Sequence, residues 1–280
     1  MVRTLSPDIG PAAVSLTPMP RRTASTDVAM AIAAHPDDIE FLMAGTLRLL
    51  ADAGWQTHYM TVANGSCGSL THGPAATAQM RAREARAGAR VLGARFHPSL
   101  VADAEIIYAV PLLRRLAALI RAVRPRVLLV PSPQDYMEDH TETSRLAVTA
   151  AFVRGMPNFR TTPSRPAIDT PVTIYHAMPH GLRDQLGARI VPAAFVDTTG
   201  VHAMKREALA RHRSQGGFLA DTQHMSSYLQ VMDDMSREVG RMSGTFEHAE
   251  GWRRHLHLGL CAPDDDPLAE VLGARYQYSR

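Results

Sequence analysis

The chain has 280 residues, 45% of them hydrophobic and 20% charged, a composition that fits a globular protein with a sizeable core and excludes fibrous and low-complexity classes. Thirty Lys+Arg stand against 27 Asp+Glu, a net charge of +3 without a basic block, which argues against nucleic acid or a membrane surface as partner. Two cysteines, Cys67 and Cys261, cannot build a disulfide framework and suit a reducing, cytoplasmic compartment.

The first 26 residues are rich in Pro, Ser, Thr and Arg, with no continuous apolar core of a signal peptide. They are expected to form an N-terminal tail, and no apolar run in the chain approaches a membrane span. Val28–Ala34 is a continuous apolar run, the pattern of a strand buried on both faces. From Ile39 the apolar residues fall at steps of three and four (Ile39, Leu42, Met43, Leu47, Leu50), one face of a helix that Gly54 can end. Thr57–Asn64 reads as a strand, followed by the loop GSCGSLTHG. Helices are expected over Ala75–Leu92 and Val110–Val123, a strand at Arg126–Val130, a helix over Thr141–Arg154, and strands at VTIYHAM and AAFVDT. Alternating strands and helices predict an α/β fold, a Rossmann-like, mostly parallel sheet with helices on both faces. Beyond about residue 215 the pattern is polar and helical. The expected organisation is a tail (1–26), a Rossmann-like domain (27–215) and a helical C-terminal extension (216–280) packed on it. The Met- and Arg-rich extension could serve a homo-oligomer interface.

Ligands of such sheets bind beyond the carboxyl ends of the strands. The first strand empties into His35-Pro36-Asp37-Asp38, and the strand RVLLV into a turn carrying Asp135, Asp139 and His140. Two turns bearing His and Asp therefore share one rim. A catalytic zinc-like site takes three His, Asp or Glu ligands and leaves one position open, and His35, Asp38 and His140 can supply them. Asp37 is then a spare carboxylate, placed to act as general base on a water activated by the metal. This is machinery for amide or ester hydrolysis. Zinc suits the set, and other divalent ions bind such ligands too. A plainer account makes Asp37 a helix N-cap with Glu40 completing a capping box, and His140 a surface or capping histidine.

The segment AHPDDIE followed by AGT resembles the N-terminal motif of the PIG-L/LmbE-like family, zinc-dependent N-deacetylases that usually act on N-acetylglucosaminyl compounds. The resemblance continues in order through RAREARAGARVLGA, LVADAEI, LIRAVRPRVLLVPSP, YMEDHTETSRLAV and KREALARHRSQ, covering roughly residues 27 to 215. It implies His35, Asp38 and His140 as metal ligands, Asp37 as general base, and Arg81 and Asp103 as substrate contacts. The implied substrate is a small acetylated amino sugar or glycoconjugate. An amidase acting on a thiol conjugate or natural-product intermediate, and a silent sugar- or metal-binding protein, remain alternatives. One departure stands out: many members carry His-x-x-His at the second turn, where this chain has Met137-Glu138-Asp139-His140. The earlier histidine helps stabilise the oxyanion or protonate the leaving amine, and methionine does neither. Tyr136, His176 and His180 are the candidates to replace it, with Tyr136 and His180 counted among the substrate-binding residues. The segment EHAEGWRRHLHLGL, with Glu247, His248, Glu250, His255 and His257, is expected as an amphipathic helix or interface rather than a second metal site.

Overall fold

The apolar run after the tail forms β1 (Val28–Ala33), which lies between β2 (Gln56–Thr61) and β4 (Val127–Val130) and runs parallel to both. This structure, a computed structural model, describes residues 27–216 and 228–279; residues 1–26, expected as the tail, lie outside them. Ala29, Ala31 and Ala33 pack into one hydrophobic layer and Met30 and Ile32 into the other. Burial on both faces is why the strand carries no polar alternation.

The remaining strands are β3 (Arg95–His97), β5 (Thr173–Ala177), β6 (Ala194–Asp197), β7 (Ala249–Arg254) and β8 (Tyr276–Tyr278), in the spatial order β3-β2-β1-β4-β5-β7-β6-β8. The five from β3 to β5 are parallel to their neighbours, whereas β7 is antiparallel to β5 and β6, and β8 to β6. From β1 the chain winds outward through β2 and β3 on one side and later through β4 and β5 on the other. The carboxyl ends of β1 and β4 therefore flank a topological switch point, where ligands of open α/β sheets bind.

The helices are α1 (Asp38–Leu42), α2 (Ala44–Asp52), α3 (Pro74–Leu92), α4 (Val110–Val123), α5 (Glu138–Phe152), α6 (His202–Leu209), α7 (Tyr228–Ser243) and α8 (Pro267–Leu272). Gly93 ends α3 at φ 74, a left-handed cap that glycine adopts without strain.

The sequence reading needs two corrections. The single helix expected from Ile39 is broken at Met43 into α1 and α2. The break exposes the first amides of α2, and the Glu250 carboxylate takes two of them, from Gly45 and Thr46, each at 2.8 Å. Lys205 Nζ balances that buried charge at 2.7 Å. The second correction concerns the C-terminal region. It contributes α7 and α8, yet EHAEGWRRHLHLGL supplies strand β7, inside the sheet between β5 and β6. Its acid Glu250 could not be placed from pattern because the partners that neutralise it lie about 45 and 205 residues away in sequence. Lys205→Met, which strands Glu250 without its cation, is expected to cost about 3–5 kcal/mol in urea denaturation. Adding Glu250→Gln should restore part of that loss; an unaltered denaturation midpoint in the single variant would contradict the pairing.

Candidate active site

At the end of β1 the backbone turns sharply. Asp37 has φ 115, an uncommon conformation for a residue other than glycine. Such strain persists where surrounding contacts over-determine it. Here Arg81 donates to the Pro36 carbonyl and lies 3.2 Å from Asp37 Oδ2, while Tyr228 OH donates to the same oxygen at 2.5 Å. Asp37 occupies the N-cap position of α1, but its side chain caps no amide. Glu40 closes no capping box either: it is fully buried, accepts from Tyr59 OH at 2.9 Å and pairs with His212 at 3.1 Å. The helix-cap account of this turn therefore fails.

At the end of β4, α5 begins three residues earlier than its expected start at Thr141, so Asp139 and His140 fall in its first turn. His140 is buried, not a surface residue. Its Nε2 lies 3.4 Å from Asp38 Oδ2, and its Nδ1 is held by Asp135 Oδ1 at 3.0 Å. His35 mirrors it, with Nδ1 3.6 Å from Asp38 Oδ2 and Nε2 held by Asp139 Oδ2 at 2.9 Å. His35, Asp38 and His140 each present one ligand atom within 4.8 Å of the others, the one such group among the described residues. Each imidazole thus has one nitrogen anchored by a carboxylate and the other turned to the shared centre. Carboxylates behind metal-binding histidines set their tautomer in this way, so the donor set fits a divalent cation.

Burial alone would lower the His35 imidazole; the hydrogen bonds to Asp139 and Asp38 override it and raise it to about 10. His140 is likewise raised, Asp38 and Asp135 outweighing burial. Asp38 is held low against burial by His140 and His35. Burial pushes Asp37 up, with Asp38 adding to the shift and Arg81 opposing it. Without a cation, the surrounding carboxylates favour the protonated form of both imidazoles.

The orienting acids Asp135 and Asp139 were visible in the sequence only as acidity beside His140; that they grip different histidines is a tertiary fact. Asp135→Asn or Asp139→Asn is expected to weaken divalent-ion affinity about 10–100-fold, measured by chelator competition. Wild-type affinity in both variants would remove the orienting role.

The centre opens into a pocket of about 290 Å³. Its lining includes Arg81, Asp103 and Gln215, together with Phe41, Tyr136, Met137, His180 and Cys67. Arg81, in an Arg-rich helix that a solvated reading would also fit, is only 2% exposed. Both Asp103 oxygens are engaged: Oδ1 accepts from Gly65 N at 2.6 Å and Oδ2 from Cys67 N at 2.9 Å. The next residue, Ala104, donates its amide to Asp139. One short turn thereby ties the glycine loop to the acid behind His35. Burial pushes His180 below its ordinary range, with Asp38 opposing.

Other sequence candidates are dispersed. His176 bonds to the Pro131 carbonyl, Ser144 and His255 and does not line the pocket. His248 stacks on His202 with centroids 3.8 Å apart, and Glu250 serves Lys205. Tyr228 and Gln215, which reach Asp37 and the pocket, carried no recognisable signal of those contacts.

Comparison with known proteins gives a consistent result. The family described as PIG-L, GlcNAc-PI de-N-acetylase, matches residues 30–151. A diacetylchitobiose deacetylase of Thermococcus kodakarensis is 29% identical over 255 residues, 87% of each chain. Among solved structures, the N,N'-diacetylchitobiose deacetylase of Pyrococcus horikoshii matches with TM-score 0.68 and 23% identity, over 82% of this chain and 84% of that one. The 4-carboxy-2-hydroxymuconate hydratase of Pseudomonas putida KT2440 matches with TM-score 0.64 and 23% identity, over 81% and 95%. The shared architecture thus supports hydration as well as deacetylation, and only the site chooses between them.

Proposed function

We propose that this chain is a member of the PIG-L family and a metal-dependent hydrolase that removes the acetyl group from the amide nitrogen of an N-acetylated amino sugar or glycoconjugate. The observation that carries the reading is the meeting of His35, Asp38 and His140 in one pocket beside Asp37. The relative from Thermococcus kodakarensis, a diacetylchitobiose deacetylase, supports the substrate class.

His35, Asp38 and His140 would hold the ion, and zinc suits this ligand set. Bound there, the ion would acidify water and polarise the acyl carbonyl. Asp37 Oδ2 is pinned by Tyr228 and Arg81, while Oδ1 has no hydrogen-bond partner among the described residues. Asp37 therefore takes the proton of the attacking water at Oδ1 and returns it to the departing amine. Asp103 and Arg81 act largely through what they hold: the glycine loop in one case, the Pro36-Asp37 turn in the other. Tyr136, 53% exposed at the pocket mouth, offers a ring face to a sugar.

The test is acetate release by the zinc-loaded chain from N,N'-diacetylchitobiose, run beside an N-acyl thiol conjugate. Acetate from the sugar alone supports the reading. Turnover of the thiol conjugate alone would move the activity to that substrate class, and turnover of neither would overturn the functional reading.

A further inference from the structure

Attack of water on an amide carbonyl leaves a tetrahedral carbon bearing an oxyanion, and a hydrogen-bond donor fixed beside that oxygen is worth a large factor in rate. The donors around the pocket can be accounted for one by one. The backbone amides of Gly65 and Cys67 are taken by Asp103, and that of Gly68 by the Gly65 carbonyl. The amide of Ala104 is taken by Asp139 and that of Met137 by Asp135. Gln215 Nε2 donates to the Gly68 carbonyl at 3.0 Å, and Arg81 is buried against Pro36 and Asp37. The Met137 side chain has no proton to give. Arg81 Nε also lacks a partner but is buried and shows no surface to the pocket, so among the described residues the ring nitrogens of His180 and the phenol of Tyr136 remain as pocket-lining side-chain donors with no hydrogen-bond partner.

These two groups are not equivalent. Tyr136 is 53% exposed, so water competes for its hydroxyl. His180 is more enclosed, with its ring edge-on to Phe41 at 5.1 Å and beside Tyr136 at 6.0 Å. It rides on a tight turn in which Gly181 has φ 74 and the Leu182 amide returns to the Pro179 carbonyl. Its backbone amide is held by Asp135 Oδ2 at 3.3 Å, and Oδ1 of the same carboxylate orients His140. One buried acid thereby holds both His140 and the turn that carries the His180 imidazole, and both histidines line the pocket. Preorganisation of this kind, in a site that excludes water, is what makes a donor effective.

We infer that His180 is the side-chain donor that stabilises the oxyanion of the acyl carbonyl, the task that Met137 cannot perform. The inference rests on the hydrolase reading of the same pocket. His180 gives a hydrogen bond to the oxygen as the carbon becomes tetrahedral, and no proton needs to transfer for this stabilisation. Tyr136 contacts the substrate at the mouth.

The experiment compares zinc-loaded wild type, His180→Ala, His180→Gln and Tyr136→Phe on N,N'-diacetylchitobiose, with metal content measured in each. The expected result is a fall in kcat of about 10²-fold or more for His180→Ala. KM should stay within about threefold and the metal content should be unchanged. His180→Gln, which keeps a donor, should recover about tenfold over alanine, a rescue that a packing role would not produce. Turnover of His180→Ala within about threefold of wild type, or the same loss appearing instead in Tyr136→Phe, would overturn the assignment. A phosphonamidate analogue of the acetamide, which carries the tetrahedral anion, is titrated by calorimetry onto wild type and His180→Ala. Binding weaker by about 10²-fold in the variant supports the donor and equal binding overturns it. Failure of wild type to release acetate would be failure of the functional reading, and the analogue titration would still decide the role of His180.

Discussion

Replacing Asp37 by asparagine is expected to lower turnover about 10³-fold while the chain keeps its divalent ion. The substitution preserves volume and leaves an amide to face Tyr228 and Arg81, so the strained turn can keep its shape. What it removes is a carboxylate oxygen able to accept a proton. Three features prepare Asp37 for that task. Two donors fix Oδ2, so the free oxygen is aimed rather than mobile. Burial raises its affinity for protons above that of an ordinary aspartate, which brings a base closer to the working pH. It is adjacent in sequence to Asp38, whose carboxylate faces both imidazoles. Acetate release paired with elemental analysis gives the answer. Near-normal turnover of a metal-loaded Asp37→Asn chain would end the general-base assignment.

The second large effect is on metal binding. Wild type is expected to hold about one divalent ion per chain and His140→Ala none, because the variant loses one of three ligands and exposes Asp38 to solvent. Metal in neither protein after zinc is offered would remove the basis of the mechanism. The pH dependence follows from the imidazoles. In the metal-free chain His35 is raised to about 10 and His140 is raised as well, whereas unfolded histidines titrate near ~6.5. Their charged pairs therefore stabilise the metal-free fold fully below about pH 6.5, and that stabilisation is lost as pH rises through the folded values. A cation has the opposite sign, since it must displace those protons. Its apparent affinity should rise about tenfold per pH unit for each proton displaced. Thermal unfolding from pH 6 to 9 is then expected to show a metal-free chain that weakens toward alkali and a zinc-loaded chain whose added stability grows. Parallel curves with and without chelator would contradict this linkage.

How much of this could be read without coordinates depended on the range of the forces involved. The all-apolar β1, the amphipathic α4 and the glycine that ends α3 follow from local pattern, because each reports how a short segment meets the core or turns its own backbone. The two acidic turns could be placed on one rim because each follows the carboxyl end of a strand in an expected parallel sheet, whereas the adjacency of β1 and β4 came from the fold. Two readings failed for a common reason. The break at Met43 and strand β7 both involve backbone whose neighbours are distant in sequence, such as the Glu250 carboxylate that caps α2.

The sequence by itself determined the fold class and which residues could hold a divalent ion, since periodicity and His/Asp spacing are local properties of the chain. Only the tertiary structure decided which groups are committed and which are free. Asp103 and Arg81 proved to be engaged largely in holding loops, and His176 was paired away from the pocket. Asp135 and Asp139 stood behind different histidines, and Tyr228 reached Asp37 from across 191 positions. Hydrogen bonds are made at about 3 Å between groups whose separation along the chain is arbitrary. The role of a polar side chain therefore becomes visible only when the partners it already has are known.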